Sequence, residues 1–445
     1  MRPDFKPRSR NNNHRPKQRQ CPDNARHATA RLIWLVLEES RTLDEVMAAE
    51  ESYSQLTGVD RSFAAAISKS TLRYLGHIDI LMNQALQKPL PETAYYVRAI
   101  LRTGIAQYLA DLAPAYAIID RAVELAKSNK VSFGMAGLVN AILRKIVTQE
   151  RKPNLPLVEL IPNQWRSRYL SCYGDEVTGS IAQVLLTHSP IDLTIISGDP
   201  LDIQTQFGGE ILPNGSLRLQ SLAEGFTAFP AWANGQVFVQ NAAASIPARL
   251  LCPKPSEAIL DMCAAPGGKT MQLAASGAKV TALDLSEDRL RLVAENLART
   301  KLNAKLVCGS GQAKAGENCW DAILLDAPCS ASGTLKSNLE TLWIKSPFDL
   351  SKMIEIQCEL VRAAAFALKQ NGRLLYAVCS LEPEEADLAV AAAIEEGLVL
   401  EPIRPEEVKG LEIAIEPRGT MRILPHYWDE KGGLDGFFIA RFIKP

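Results

Sequence analysis

Two cysteines in the C-terminal half of the chain each follow a run of apolar residues that predicts a buried β-strand. Cys329 follows the run 321–326, and Cys379 comes directly after the run 372–378. In open α/β folds, ligands bind at the carboxyl ends of the parallel strands, so we expect both thiols at that edge. A single buried cysteine is most often a small hydrophobic residue. Two of them at a ligand-binding edge, one close to Asp326, indicate chemistry.

Two thiols beside a carboxylate suit the methylation of C5 of cytosine. C5 is a poor nucleophile, and addition of a thiolate to C6 turns the ring into an enamine that can attack a methyl donor. A hydrogen-bond partner at N3 assists the addition, and a base must then remove the proton from C5. One cysteine as nucleophile, the other in product release, and Asp326 at the ring edge meet these requirements. The residues alone leave open which cysteine attacks.

A glycine-rich turn upstream predicts the site of a nucleotide-type cofactor. The turn follows an apolar run and consists of Cys263, Ala264, Ala265, Pro266, Gly267, Gly268 and Lys269. Small residues let backbone N–H groups approach a ligand, and Asp284, at the end of the next predicted strand, can accept hydrogen bonds from ribose hydroxyls. Neither a Walker loop nor a G-x-G-x-x-G motif is present, which favours S-adenosylmethionine. Spacing alone leaves a nicotinamide cofactor open.

These residues need a scaffold, and the sequence predicts three domains. Apolar runs alternating with helices over 236–445 predict a Rossmann-like α/β domain, in which a long helix should stop at Gly372. Residues 27–150 carry apolar positions three and four apart with few strand signals, which predicts an all-helical domain. A proline-rich linker opens the stretch 151–235, whose mixed signals predict a small mixed subdomain.

Charge is unevenly distributed along the chain. The 445 residues carry 49 Lys and Arg against 50 Asp and Glu, a net charge of −1, yet 1–26 hold eight basic residues against two acidic ones. Because this stretch has almost no apolar residue, it predicts a disordered basic arm. The arm is either a phosphate-seeking tail or a solvated tail without a partner. The overall charge therefore excludes little, and nucleic acid stays a candidate partner.

Composition excludes several classes of protein. No apolar run reaches the roughly 18 residues of a membrane span, so we expect a cytoplasmic, monomeric protein without a membrane partner. Nine cysteines without a C-x-x-C pair, and five scattered histidines, predict neither a disulfide scaffold nor a metal site. The thiols expected in or near the core are Cys252, Cys308, Cys319 and Cys358.

The same motifs resemble a known family. The segments 261–270, 326–330 and 379–385 are similar to motifs of the RNA cytosine-C5 methyltransferases. The segment 137–144 resembles the NusB domain, a helical RNA-binding fold, although the helical region alone also fits a generic bundle. Together they resemble the RsmB (Sun) branch of that family. This resemblance implies S-adenosylmethionine as the cofactor and 16S ribosomal RNA as the substrate.

The resemblance also implies individual roles. Cys379 would be the nucleophile, and Cys329 would assist product release. Asp326 would lie between the cofactor and the base. The turn 263–269 would hold the methionine side of the cofactor, and Asp284 would hold its ribose.

Four positions depart from the family pattern. Ser310 stands where the family usually has an aspartate on the adenine side of the cofactor, which predicts weaker adenine affinity or selectivity. Val378, Asn241 and Asn338 replace a threonine, an aspartate, and a basic residue or histidine. No thiol is lost. These departures keep open a catalytically weakened RNA-binding or assembly factor, and the same chemistry on transfer RNA is a third hypothesis.

Overall fold

The computed structural model describes residues 24–222 and 225–445, and it divides after Asn154 into two compact units. The predicted basic arm lies outside the described residues except for its last three, which belong to the first helix. That helix begins at Asn24, three residues before the predicted start of the helical domain.

The first unit is all-helical, as predicted. Its helices are α1 (Asn24–Glu39), α2 (Leu43–Ala49), α3 (Glu51–Ser54), α4 (Gly58–Arg73), α5 (Leu75–Ala85), α6 (Tyr95–Leu109), α7 (Ala115–Ser128) and α8 (Ala136–Val147). In α7, Ile118, Ala122 and Leu125 are buried, whereas Asp120 and Glu124 are exposed. This spacing of three and four residues gives each long helix one apolar face for the core.

The second unit combines two sheets with helices. Its helices are α9 (Asn163–Leu185, interrupted at Gly174), α10 (Pro200–Phe207), α11 (Pro230–Ala233), α12 (Ile246–Leu250), α13 (Gly268–Ala275), α14 (Glu287–Thr300), α15 (Gly311–Lys314), α16 (Thr341–Ile344), α17 (Leu350–Ala367) and α18 (Pro383–Glu395). Its strands are β1 (Ile191–Ile195), β2 (Glu210–Ile211), β3 (Leu217–Leu219), β4 (Val237–Val239), β5 (Ala258–Met262), β6 (Lys279–Asp284), β7 (Lys305–Cys308), β8 (Trp320–Asp326), β9 (Leu368–Val378), β10 (Val399–Leu400), β11 (Met421–Ile423) and β12 (Phe437–Ile443).

The smaller sheet has the strand order β2-β3-β1-β4 and is antiparallel. A buried ion pair crosses it: the Arg218 guanidinium donates to both carboxylate oxygens of Asp192 at 2.7 Å, and to the Gly433 carbonyl at 2.8 Å. The sheet ends with β4, just beyond residue 235, where the sequence analysis placed the end of the mixed subdomain.

The larger sheet has the order β10-β12-β9-β8-β5-β6-β7, with β11 paired to β12. The strands from β9 to β7 are parallel, and β12 runs antiparallel to β9. Residues alternate between two cores: Ile323 and Leu325 of β8 pack on one face, Ala322 and Leu324 on the other. Strand order reverses between β5 and β8, which is the switch point where open α/β sheets bind ligands.

One sequence prediction about this sheet is wrong. The helix expected to stop at Gly372 ends at Ala367, and the chain passes directly into β9. Asn371 has a φ of 61°, and a Cβ on Gly372 would lie 2.8 Å from the Lys369 carbonyl oxygen. The glycine therefore allows a bulge inside the strand. The sequence pattern around it is the same for a bulge and for a helix stop.

Further observations concern thiols, membranes and metals. Cys252, Cys308 and Cys319 are exposed, so the prediction that these three thiols lie in or near the core is wrong. Cys358 is half-buried and packs against the core, as predicted. Across the described ranges, every helix is too short or too polar to cross a bilayer. Within the same residues, no three His, Cys, Asp or Glu side chains converge as metal ligands would.

Candidate active site

The two predicted thiols lie together. Cys329 and Cys379 each follow the carboxyl end of a strand, β8 and β9 respectively, and those strands are parallel neighbours. Their Sγ atoms are 3.5 Å apart. Cys329 is buried and Cys379 is half-buried. Cys379 is therefore the more accessible member of the pair, and Cys329 is the more buried one.

The environment of Cys329 keeps its sulfur protonated. The hydrogen bond shared with Cys379 raises the pKa of the Cys329 thiol well above its usual range, and burial and the nearby Glu385 carboxylate raise it further. Near neutral pH, Cys329 is thus a thiol that can donate its hydrogen towards the Cys379 sulfur. The Cys379 sulfur can accept that hydrogen bond.

A lysine and an aspartate form an ion pair beside the thiols. Lys269, the second residue of α13, is buried, and its Nζ lies 2.7 Å from Asp326 Oδ2 at the end of β8. The same ammonium lies 5.3 Å from the centre of the Phe437 ring. Lys269 was predicted only as part of the cofactor turn; its side chain also fixes the orientation of Asp326.

The glycine-rich turn between β5 and α13 is tightly packed. Gly267 has a φ of 101°, and a Cβ there would lie 3.1 Å from Val293; a Cβ on Gly268 would lie 3.0 Å from the Gln240 amide. Larger residues would therefore disturb the turn. The approach of its backbone N–H groups to a cofactor stays a prediction. Burial raises the pKa of Cys263 to about 12, so this third thiol is a poor nucleophile at neutral pH.

Asp284 ends β6 beside this turn. Its carboxylate accepts hydrogen bonds from the Ala265 and Ser286 backbone N–H groups, each at 3.0 Å. Arg289 approaches the same carboxylate to 3.4 Å. Asp284 is thereby held rigidly at the position from which the sequence analysis expects it to contact the ribose.

Ser310 lies just after β7, the strand next to β6, and caps the helix that follows. It is the N-cap of the short helix α15, and its Oγ accepts a hydrogen bond from the Ala313 N–H at 3.3 Å. An aspartate could make the same cap. The adenine contact expected for this position stays a prediction.

A cavity of about 290 Å³ opens beside the turn. The residues that line it include Ala264, Ala265, Pro266, Gly268, Lys269, Asp261, Asp326, Gln240, Phe238 and Trp232. Asp261 is fully buried, and Thr270 donates to its Oδ2 at 2.5 Å. Its Oδ1 has no hydrogen-bond partner among the described residues, and burial raises its pKa to about 7.

These features fit S-adenosylmethionine. The unsatisfied acceptor on Asp261 suits a donor such as the ammonium group of the methionine moiety, because a buried carboxylate without a donor is costly. The turn lines the cavity, and Asp284 is bonded to the turn although it is not among the residues that line the cavity. The sequence signal that could have identified Asp261 is its position as a charged residue inside the apolar run 258–262. Its unsatisfied oxygen is visible only in the structure.

Comparisons with known proteins decide the family. The family model described as 16S rRNA methyltransferase RsmB/F matches residues 248–443, and the NusB family model matches 23–148. Ribosomal RNA small subunit methyltransferase B of Serratia proteamaculans is 31% identical over 439 residues, covering 95% of this chain and 99% of that relative. This chain belongs to the RsmB/F methyltransferase family.

Solved structures share the fold of this RsmB/F methyltransferase. The crystal structure of PH0851 has a TM-score of 0.74 at 23% identity and covers 96% of this chain and 100% of its own. A methyltransferase homolog from Pyrococcus horikoshii has a TM-score of 0.53 at 28% identity and covers 63% of this chain and 94% of its own. The protein is an S-adenosylmethionine-dependent RNA methyltransferase with an N-terminal NusB domain.

Proposed function

We propose that this protein transfers a methyl group to C5 of a cytosine in 16S ribosomal RNA through a covalent bond between Cys379 and C6. The observation that carries the proposal is the pair of thiols, 3.5 Å apart and unequally buried, at the carboxyl ends of β8 and β9. Cytosine C5 chemistry needs a nucleophile and a separate group for release, and the two thiols can supply both.

The structure supports Cys379 as the nucleophile. It is the more accessible of the two cysteines, and its sulfur can accept a hydrogen bond from the Cys329 thiol. The Cys379 thiolate adds to C6, and the electron pair of the C5–C6 double bond becomes available at C5. When bound, S-adenosylmethionine supplies the methyl group that C5 takes.

The same contacts explain how Cys329 could change role. While Cys379 is a thiolate, its charge and its hydrogen bond hold the pKa of Cys329 high. Once Cys379 is bonded to carbon, it carries no charge, so its contribution to the raised pKa of Cys329 is lost, while burial and Glu385 still raise that pKa. Cys329 then releases its proton to solvent more readily than before the adduct formed. The Cys329 thiolate then takes the proton from C5, the C5–C6 double bond reforms, and Cys379 leaves as a thiolate.

Asp326 and Lys269 would hold the ring. A carboxylate at the end of β8 can accept from the exocyclic amine of cytosine, and the ion pair at 2.7 Å keeps it in place. A proton shared across this pair would assist N3 during the addition. Both residues line the cavity that reaches the glycine-rich turn, so the ring edge and the methyl donor would lie side by side.

The proposal that the substrate is 16S rRNA is supported by the family and by the helical unit. The relative from Serratia is named for the small-subunit RNA, and the NusB match spans the first unit. The test incubates the full-length protein with unmodified 16S rRNA, unmodified tRNA and methyl-labelled cofactor, followed by nucleoside analysis and bisulfite sequencing.

We expect label in 5-methylcytidine of 16S rRNA, and none with Cys379→Ala. Label found only in tRNA would contradict the substrate, and full activity of Cys379→Ala would contradict the mechanism. Calorimetry with S-adenosylmethionine distinguishes the enzyme from an RNA-binding assembly factor. An absence of cofactor binding would favour the assembly factor.

A further inference from the structure

A buried carboxylate connects the two turns that carry the thiols. Glu385, in the first turn of α18, is fully buried. Its Oε1 accepts from the Ser330 N–H at 2.9 Å and from the Gln357 amide at 2.8 Å. Its Oε2 accepts from the Ser330 hydroxyl at 2.5 Å and from the Ser380 hydroxyl. One side chain thus satisfies four donors.

The two serines are the residues that directly follow the thiols. Ser330 follows Cys329, and Ser380 follows Cys379. The serine hydroxyls also lie 3.1 Å from each other. A displacement of either serine would also move the cysteine that precedes it in the chain. By holding both serines, the Glu385 carboxylate fixes the distance between the two thiols.

We propose that Glu385 is the positioning residue that holds both thiols at reacting distance. The proposal rests on the two-thiol chemistry proposed above, and it adds a residue that contacts neither sulfur. Because the β8 and β9 strands end at these turns, strand pairing sets the position of the turns only up to Asp326 and Val378. Beyond those residues, Glu385 and its donors help to hold the chain, together with hydrogen bonds from the Gly333 N–H to the Cys379 carbonyl at 3.0 Å and from Lys345 Nζ to the Cys329 carbonyl at 3.3 Å.

The chemistry of the partners explains why a carboxylate is needed. Ionised Glu385 is an acceptor only, and all four partners can donate. A glutamine could keep Oε1 towards the Ser330 N–H and the Gln357 amide, while its NH₂ donates to hydroxyls that rotate to accept. An alanine would leave four buried donors without their acceptor, which is costly. Glu385→Gln is therefore the conservative variant, and Glu385→Ala is the disruptive one.

The first experiment measures geometry without RNA. Diamide oxidises two nearby thiols to a disulfide and is itself reduced. Because the Glu385 charge also raises the pKa of Cys329, the rate of Cys329–Cys379 cross-linking is compared between variants at several pH values, and a loss that persists at every pH reports a larger separation. We expect Glu385→Ala to slow cross-linking by about 10-fold or more, since a displacement of about 1 Å can cost 100-fold in an intramolecular reaction. Glu385→Gln should stay within about 3-fold of the parent protein, because most of the network survives.

The second experiment measures methylation. We expect Glu385→Ala to lower kcat by about 100-fold and to leave the Kd for S-adenosylmethionine nearly unchanged, since Glu385 is not among the residues lining the cofactor cavity. Glu385→Gln should recover most of kcat. Asp387→Ala is the matched control on the same helix, because Asp387 is exposed and bonds Arg418 at the surface.

The outcomes are distinguishable. Unchanged cross-linking and unchanged kcat in Glu385→Ala would overturn the positioning role. Equal losses in Glu385→Gln and Glu385→Ala, with cofactor affinity lost in both, would also overturn it by indicating a general structural role. If the two-thiol mechanism itself is wrong, Cys379→Ala stays active, and the cross-linking rates still decide whether Glu385 holds the thiols.

Discussion

Replacing Cys329 by alanine should trap the enzyme on its RNA. Under the proposed mechanism, this change leaves the nucleophile Cys379 in place and removes the base that takes the proton from C5. Loss of a general base typically costs about 10²–10⁴-fold. Release of the adduct should therefore be slowed far more than its formation.

The structure indicates that the slowing of adduct release lies in the upper part of this range. Asp326, the carboxylate at the end of the same strand, is paired with Lys269 at 2.7 Å, and Glu385 already accepts four hydrogen bonds. Neither is available to replace the thiol. We expect release to slow by about 10³-fold or more. Cys329 is a small side chain, so the melting temperature should fall by only about 2–4 °C.

The assay is denaturing gel electrophoresis of protein mixed with labelled 16S rRNA and S-adenosylmethionine. We expect Cys329→Ala to give a stable band at the mass of the protein–RNA complex, and the double variant Cys329→Ala/Cys379→Ala to give none. A Cys329→Ala enzyme that turns over at the rate of the parent protein, without an adduct, would refute the assignment of Cys329 to release.

Three other substitutions test the supporting contacts. Lys269→Met removes the partner of Asp326, and since a charge-assisted hydrogen bond contributes about 1.5–3 kcal/mol, kcat/KM should fall by roughly 10- to 100-fold in steady-state assays. Arg218→Met leaves Asp192 buried without its cation and should destabilise the protein by about 3–5 kcal/mol in urea unfolding. Burial raises the pKa of Asp261 to about 7, above its value in the unfolded chain, so the folded state binds an extra proton between about pH 4 and pH 7 and stability falls as pH rises through that window. Asp261→Asn should remove a decline on the order of 3 kcal/mol, measured by urea unfolding at pH 4.5 and pH 8.

Each of these has a control and a contradicting result. Arg121→Met breaks an exposed ion pair with Glu124 and should cost less than about 1 kcal/mol, in contrast to the buried pair of Arg218. Equal losses for the two arginines would contradict the account of the buried pair. A change below about 3-fold for Lys269→Met would show that Asp326 needs no partner. Parallel pH profiles for Asp261→Asn and the parent protein would contradict the raised pKa.

The sequence predicted the parts of the site that follow from strand periodicity. Cys329 and Cys379 are 50 residues apart in the chain, yet each follows an apolar run, and parallel strands place their carboxyl ends at one edge. The glycine-rich turn and Asp284 were located by the same logic. In these cases, one local pattern determines the element, and the topology of the sheet then brings the side chains together.

The rest depended on tertiary contacts. Gly372 fits the sequence pattern of a helix stop, but the residue lies in a bulge of β9. The close approach of the Lys369 carbonyl oxygen, which leaves no room for a Cβ, is what requires glycine there. Cys308 is exposed because it ends the edge strand β7, and Cys319 because it lies in the irregular segment just before β8. No apolar pattern around them reveals these positions. The role of Glu385 depends on donors 5 to 55 residues away in sequence, and such long-range pairings leave no periodic signal.

The most direct test of the central claim identifies the bond itself. RNA containing 5-fluorocytidine cannot lose a proton from C5, so the reaction stops at the covalent stage in the unaltered protein. After digestion with nuclease and protease, mass spectrometry should find the peptide containing Cys379 joined to a methylated fluorocytidine. A bond to Cys329 instead, or methylated RNA that never forms an adduct, would contradict the proposed mechanism.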